Sequence, residues 1–377
     1  MITVFICIDW FHPAYKAGGP VQSVANLVQQ YGHVAVNFKI FCANTDLDGM
    51  VNQGVVFDEW VNFNEHTQVW YASKNKRLAM LSQVRLLKPD VLFIIGVYSL
   101  YFNLLPLLFC KARRKIISAR GMLHPGALTQ KPLQKKIYLV FWKALGVHRN
   151  NFFHATDVVE AGFIRQVFGA KANVFIAGNF SKKIALQVVA DKKAGEIKLL
   201  SIALISAMKN IDLVLDALKS CRHSICYQIY GPIKDEAYWL LCLSKIKQLP
   251  LNVKVIYKGA ITPLQIEAKL LTSAVFILPS KSENFGHAIF EALSAGKPVI
   301  TSHYTPFNKL AENYAGKNVS VENSLEMTAA IDSFAAMGQA EFAQWNIGAY
   351  QYANAYSDDA LLQQQYDSMF LNTAAFV

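Results

Sequence analysis

Pro279-Ser-Lys-Ser-Glu-Asn-Phe-Gly-His-Ala-Ile-Phe-Glu-Ala-Leu-Ser-Ala-Gly-Lys-Pro-Val-Ile300 follows the apolar run Ala274-Val-Phe-Ile-Leu278. The run reads as a buried strand ended by Pro279 and Ser280. The turn residues Ser282, Glu283 and Asn284 then lead into a helix that closes at Gly296. Gly286 lets the backbone at the helix entrance approach a ligand closely, and the N–H groups and dipole of that end favour a phosphate. Glu283 and Glu291 stand with seven residues between them, about 12 Å of helix at ~1.5 Å per residue. That is the span from the sugar to the ribose of a nucleotide sugar. An ordinary strand–turn–helix unit with two solvated glutamates is the competing reading.

The same alternation of apolar strands and helical segments runs from end to end, the pattern of parallel α/β sheets. In the first half strands are expected at 2–8, 36–42, 91–95, 115–119, 151–155 and 173–176. In the second half they are expected at 197–204, 225–230, 253–257, 274–278 and 298–301. The polar, lysine-containing stretch 178–195 lacks a clear period and separates the halves. Three parts follow: a Rossmann-like domain at 1–180, a second at 181–355, and a terminal segment at 356–377 whose helix is expected over 358–372. Open α/β sheets bind ligands beyond the carboxyl ends of their strands, so a cleft between the two domains is the expected site.

Ser282-Glu-Asn-Phe-Gly-His-Ala-Ile-Phe-Glu-Ala-Leu-Ser-Ala-Gly-Lys-Pro-Val-Ile300 resembles the E-x7-E signature of the family 4 retaining glycosyltransferases (glycosyl transferases group 1). Its ENFGH form is similar to enzymes that build bacterial exopolysaccharide and lipopolysaccharide. The resemblance implies the GT-B fold, two facing Rossmann-like doubly wound domains around an interdomain cleft. It also implies that 1–180 binds the acceptor, that 181–355 binds the nucleotide sugar, and that the last helix packs back on the first domain. Under it Glu283 contacts donor-sugar hydroxyls, Asn284 and the amides near Phe285 and Gly286 meet sugar and phosphate, and Glu291 holds the ribose.

Other segments match the same family in order. After the first strand, Gly18-Gly19 forms a small-residue loop whose bare backbone can close over a donor diphosphate, with Lys16 nearby. Ser118-Ala-Arg-Gly-Met-Leu-His124 resembles an R-G-M-L element. There Arg120 at a strand end can neutralise phosphate with a forked donor set, and His124 is either catalytic or a capping histidine. Lys209 occupies the position where the family presents a lysine to the diphosphate. Leu204 stands where an arginine is usual, so Arg120 or Lys281 has to compensate or donor binding is weak. Ile229-Tyr-Gly-Pro-Ile233, Tyr257-Lys-Gly-Ala260 and Thr305-Pro-Phe307 resemble loops around the nucleotide and sugar.

The chain has 377 residues, 53% hydrophobic, with net charge +11 and a positive mean hydropathy. Apolar content with a basic balance points to an anionic membrane surface. No zinc-finger spacing or RNA-binding aromatic motif supports nucleic acid. Lys131, Lys135, Lys136 and Lys143 among Leu133, Ile137, Tyr138, Val140, Phe141 and Trp142 resemble a basic amphipathic interfacial helix; a core-facing surface helix is the alternative. The long apolar stretch 91–110 is read as a strand, a turn and a helix over about 100–112, not a membrane span. The six cysteines form no C-x-x-C pair and read as reduced buried thiols. The first residues lack a signal-peptide pattern.

No D-x-D or metal cluster stands out, so metal-independent transfer without a cofactor is expected, on the cytoplasmic face of a bacterial inner membrane. The donor would be a nucleotide sugar and the acceptor a glycan, lipid-linked in this reading. Two alternatives stay open: a degenerate, non-catalytic scaffold, for which Leu204 speaks, and a sugar-nucleotide epimerase of the same architecture.

Overall fold

The computed structural model describes residues 1–33, 35–129, 132–186 and 192–371. The chain forms two compact units, Met1–Phe180 with Asp358–Val377, and Ser181–Ser357.

The first unit is built on β1 Ile2–Cys7, β2 Val36–Ala43, β3 Trp60–Asn64, β4 Thr67–Ala72, β5 Val91–Ile95, β6 Arg114–Ser118, β7 Phe152–Ala155 and β8 Val174–Ile176. The sheet order is β3-β4-β2-β1-β5-β6-β7-β8, parallel throughout except for the antiparallel β3–β4 pair. The central strands are apolar on both faces because both are covered. On β1, Val4 and Ile6 enter one core while Phe5 and Cys7 enter the other. The first core is closed by helices Gly19–Gln30 and Asp359–Phe370, the second by Ala79–Leu87, Pro132–Ala144 and Val158–Phe168. The topology accounts for this: crossovers from β5 towards β8 run opposite to the one from β1 to β2, and a fixed right hand puts them on the opposite face.

Stretch 91–110 contains β5, a break at Gly96 (φ 91°), a wide π-type turn at Leu100–Leu104 and helix Leu105–Phe109. The helix anticipated over about 100–112 is thus shorter and opens as a π turn. There the buried Asn103 bonds both the Ile95 carbonyl (2.8 Å) and the Ser99 amide (2.7 Å). Among the described residues no helix is long and apolar enough to cross a membrane. Lys131 and Asn372, expected in the basic helix and the last helix, lie outside the described residues. All six cysteines are free, five of them buried.

The last helix is tied to the first unit by polar bonds as well as by Tyr366, Met369 and Phe370 in its core. Tyr31 donates its hydroxyl to Asp367 (2.7 Å), Tyr366 donates to the Gly178 carbonyl (3.0 Å), and Gln365 accepts from the Gly178 amide (2.9 Å). Tyr31→Phe removes a bond to a carboxylate and should cost about 1–2 kcal/mol, read as a lower urea midpoint at unchanged slope.

The second unit is fully parallel: β9 Glu196–Ile202, β10 Ser224–Tyr230, β11 Val253–Tyr257, β12 Val275–Leu278, β13 Val299–Ser302 and β14 Gly316–Val319, ordered β11-β10-β9-β12-β13-β14. Helices Ile211–Leu218, Glu236–Ile246 and Ser324–Ala336 pack on one face, and His287–Ser294 and Gln339–Tyr356 on the other. Every strand expected from the sequence is present; β3, β4 and β14 are additional. Gly231 ends β10 at φ 137°, where a Cβ would stand 1.7 Å from the Ala203 carbonyl oxygen, so the loops after β9 and β10 are pressed together.

Candidate active site

In the second sheet the chain leaves β9 for β10 and β11, then returns to β12 on the other side of β9. A ligand-binding crevice is expected where the order reverses, beyond the carboxyl ends of β9 and β12. Lys209 and Glu283 occupy those two loops. Lys209 closes the 3-10 turn Ala207–Lys209, and Asn210 (φ 56°) turns the chain into helix Ile211–Leu218 while bonding the Val321 carbonyl at 2.9 Å. Across the switch point Lys209 Nζ donates to Glu283 Oε1 at 2.5 Å, and Ser280 Oγ donates to the same oxygen at 2.7 Å. Backbone bonds align the loops: Lys281 N to Met208 O (2.8 Å) and Glu283 N to Tyr304 O (3.2 Å).

Beyond Glu283, Gly286 (φ 81°) is the N-cap of helix His287–Ser294, with no side-chain capping bond. A Cβ there would meet Ile289 at 3.3 Å and Phe307 at 3.4 Å, a tight fit at a backbone conformation that favours glycine. Asn284 is half-buried in the loop. The Phe285 ring packs against His287 (4.8 Å), Phe307 (6.0 Å) and Tyr356 (6.3 Å), so its side chain builds the loop. Glu291 is 5% exposed. Burial raises its carboxyl to about 7, opposed in part by the charge of Lys182. Leu204 is half-buried and Lys281 exposed.

The first unit holds the remaining residues singled out from the sequence. Gly18 (φ 79°) precedes helix Gly19–Gln30, and added Cβ atoms at Gly18 and Gly19 would meet nothing within 4 Å. Lys16 is paired with Asp48 at 2.5 Å. Arg120, just after β6, has a left-handed backbone (φ 50°), uncommon for a side chain of its size. The residue is 7% exposed, and its guanidinium donates to Asn179 Oδ1, while Nε and Nη2 are buried without a protein partner. Such donors are costly to leave unmet and suit an anion. His124 caps the short helix Pro125–Leu128, its Nδ1 accepting from Gly126 N at 3.0 Å, with its ring against Phe163 (5.0 Å). Partial burial lowers its pKa. Arg120 and His124 flank one loop but do not bond each other.

Three neighbours were not singled out from the sequence. Ser280 holds Glu283; a serine at the strand end three residues before a glutamate was the available signal. His154, at the end of β7, is fully buried between Ser118 Oγ (2.7 Å at Nδ1) and the Ala177 carbonyl (2.9 Å at Nε2). The carbonyl fixes the proton on Nε2, and burial with the nearby Arg120 charge pushes the imidazole down to about 3. Asp9, at the β1/β5 switch point of the first sheet, accepts from Ser99 Oγ at 2.6 Å, and its burial raises its pKa.

Comparison with known proteins fits this geometry. Residues 183–345 match the family described as glycosyl transferases group 1. No curated protein sequence matches the chain. Among solved structures, sucrose-phosphate synthase from Thermosynechococcus elongatus aligns at TM-score 0.75 and 14% identity over 98% of each chain. HepE from Anabaena with UDP-glucose aligns at 0.70 and 15% identity, over 98% of this chain and 99% of that one. WaaG, described as a glycosyltransferase involved in lipopolysaccharide biosynthesis, aligns at 0.66 and 12% identity, over 98% and 100%. The chain thus has the GT-B fold and carries a glycosyl transferases group 1 domain: it is a glycosyltransferase.

Proposed function

We propose that the chain transfers a sugar from a nucleoside-diphosphate sugar to a glycan acceptor with retention of configuration and without a metal. The observation that carries this is the Lys209–Glu283–Ser280 constellation at the β9/β12 switch point, next to the uncapped N-terminus at Gly286. Lys209 and the helix end would take the diphosphate, Glu283 the sugar hydroxyls and Glu291 the ribose. Lys281, whose amide bonds the residue before Lys209, would supply the cation missing at Leu204. The C1–O bond to phosphate breaks with its electron pair leaving on the nucleoside diphosphate. The acceptor hydroxyl attacks the same face of the oxocarbenium-like sugar and passes its proton to the departing phosphate. Positive charge at the leaving group is the principal stabilisation. The first unit would bind the acceptor, and Arg120 and the Gly18-Gly19 loop are its own candidates for holding an anion.

A UDP-glucose complex of a structurally similar protein, HepE, supports a nucleotide-sugar donor. The WaaG description and the ENFGH segment support a role in bacterial surface polysaccharide synthesis; in this reading the acceptor would be lipid-linked and the reaction would take place at the inner membrane's cytoplasmic face. The test is a thermal-shift screen against UDP, GDP, ADP, dTDP and CMP with their sugars. Stabilisation by one nucleotide, lost in Glu291→Ala, and turnover that persists in EDTA are expected. No shift with any of them would favour the scaffold reading, and Leu204→Arg would then leave activity at zero instead of raising it.

A further inference from the structure

One layer of the first unit carries a run of exposed apolar residues on its outer side. Helices Ala79–Leu87, Leu105–Phe109 and Pro132–Ala144 bury Met80, Leu107 and Trp142 in one core, yet their outer sides are apolar as well. On Pro132–Ala144, Leu133, Ile137, Val140 and Phe141 are each 52–69% exposed. Their spacing of four, three and one residues draws a single stripe along the helix. Phe109 on the neighbouring helix is 65% exposed, and Leu86 on the next is 75% exposed. The first two of these helices touch, and the Tyr98–Tyr138 ring contact (5.5 Å) joins the turn that leads from β5 into Leu100–Phe109 to Pro132–Ala144. Helix Gly19–Gln30, on the opposite face of the sheet, exposes no large hydrophobic residue. Scattered exposed apolar residues are ordinary; a stripe continued across adjacent helices marks a surface that binds something.

The charge of the chain is concentrated in the stretch of sequence that contains these helices. Residues 73–156 hold fifteen Lys or Arg and a single acid, Asp90, leaving 22 basic and 25 acidic residues for the rest of the chain. The whole excess of +11 therefore comes from this stretch. Asp90 is engaged elsewhere, accepting from the Thr3 amide at 2.9 Å. Arg85, Lys88, Lys111, Arg113, Lys136 and Lys143 are exposed, and none has an ion-pair partner among the described residues.

We propose that this layer is a composite docking surface for an anionic lipid bilayer, with apolar side chains from three helices entering the interface and the flanking cations on headgroup phosphates. Apolar area alone would suit any hydrophobic partner, and cations alone any polyanion. A bilayer interface presents an acyl boundary beneath a sheet of negative charge, which meets both needs at once. Nucleic acid has no apolar slab to take Ile137, Val140 and Phe109. The proposal extends beyond the single basic helix legible in the sequence and does not depend on the catalytic reading.

The test is co-sedimentation of the full chain with phosphatidylcholine vesicles, with and without phosphatidylglycerol. Binding should require phosphatidylglycerol and weaken with salt. Ile137→Glu with Phe141→Glu should weaken it by roughly tenfold or more, and Phe109→Glu alone by about fivefold, with unchanged melting temperatures showing that the fold survives. Wild-type binding to neither vesicle, or equally to both, would overturn the proposal. If Phe109→Glu binds like wild type while the helix variant does not, the surface is one helix and the composite is wrong. A dimer that Phe141→Glu converts to monomer, without vesicle binding, would assign the layer to a second copy of the chain and also overturn it.

Discussion

Glu283→Ala should lower sugar transfer by roughly 10²–10³-fold, the usual effect of deleting one preorganised polar group that acts on the transition state. Stability should fall by only about 1–2 kcal/mol, as a bond to a charged partner is lost. The small structural cost follows from the surroundings. Glu283 is held by Ser280 and Lys209 on one oxygen, while its loop is separately fixed by backbone bonds to Met208 and Tyr304, so removing the side chain leaves the loop in place. The catalytic cost is larger because two proposed roles converge there. Lys209 and Glu283 satisfy each other; in the proposed mechanism a donor would draw Lys209 to phosphate and Glu283 to sugar hydroxyls. Lys209→Met should therefore act in the same direction, and the double variant should be less impaired than the product of the two. Initial rates with donor and acceptor sugars, next to melting curves, decide it. Full activity in Glu283→Ala would remove Glu283 from the mechanism.

Much of this was legible in sequence because the informative residues obey short-range rules. The strands from β1 to β13 that carry continuous Val, Ile, Leu and Phe are buried on both faces, which is what such runs mean. The strands that escaped were those without that signal. β14, Gly316-Lys-Asn-Val319, has two polar residues in four and is identified only by its parallel pairing with β13. The β3–β4 hairpin lies at the sheet edge, where Asn62 and Asn64 are tolerated because one side is open. At the site, sequence separated Lys209 from Glu283 by 73 residues and assigned them different ligand groups. Only the sheet order, which returns β12 to the side of β9, makes them neighbours. The cation at Arg120 was legible as a strand-end residue. Its burial, its bond to Asn179 and the neutral His154 beside it depend on packing that no local pattern encodes.

Glu291→Gln is expected to have opposite effects on stability and on donor binding. Burial raises the Glu291 carboxyl from its ordinary 4.5 to about 7. The folded chain therefore holds a proton that the unfolded chain has released between these pH values. Stability falls as pH rises through that window, and the loss is complete above about 7. At ~1.4 kcal/mol per pH unit, this amounts to about 3 kcal/mol at pH 8 and close to nothing at pH 4. A neutral amide of the same shape removes the dependence, so Glu291→Gln should melt several degrees above wild type at pH 8 and level with it at pH 4. A buried carboxylate whose ionisation costs stability is a candidate for a binding role. If that role is to accept hydroxyl donors from ribose, a bound nucleotide stabilises the charged form and lowers the pKa. Binding near pH 7 should then release a fraction of a proton, measurable by calorimetry in buffers of different ionisation enthalpy, and affinity should rise with pH through this range. In Glu291→Gln the proton release should vanish and affinity should fall. A variant that gains stability at pH 8 yet binds nucleotide as tightly as wild type would leave Glu291 as a buried carboxyl with no part in donor recognition.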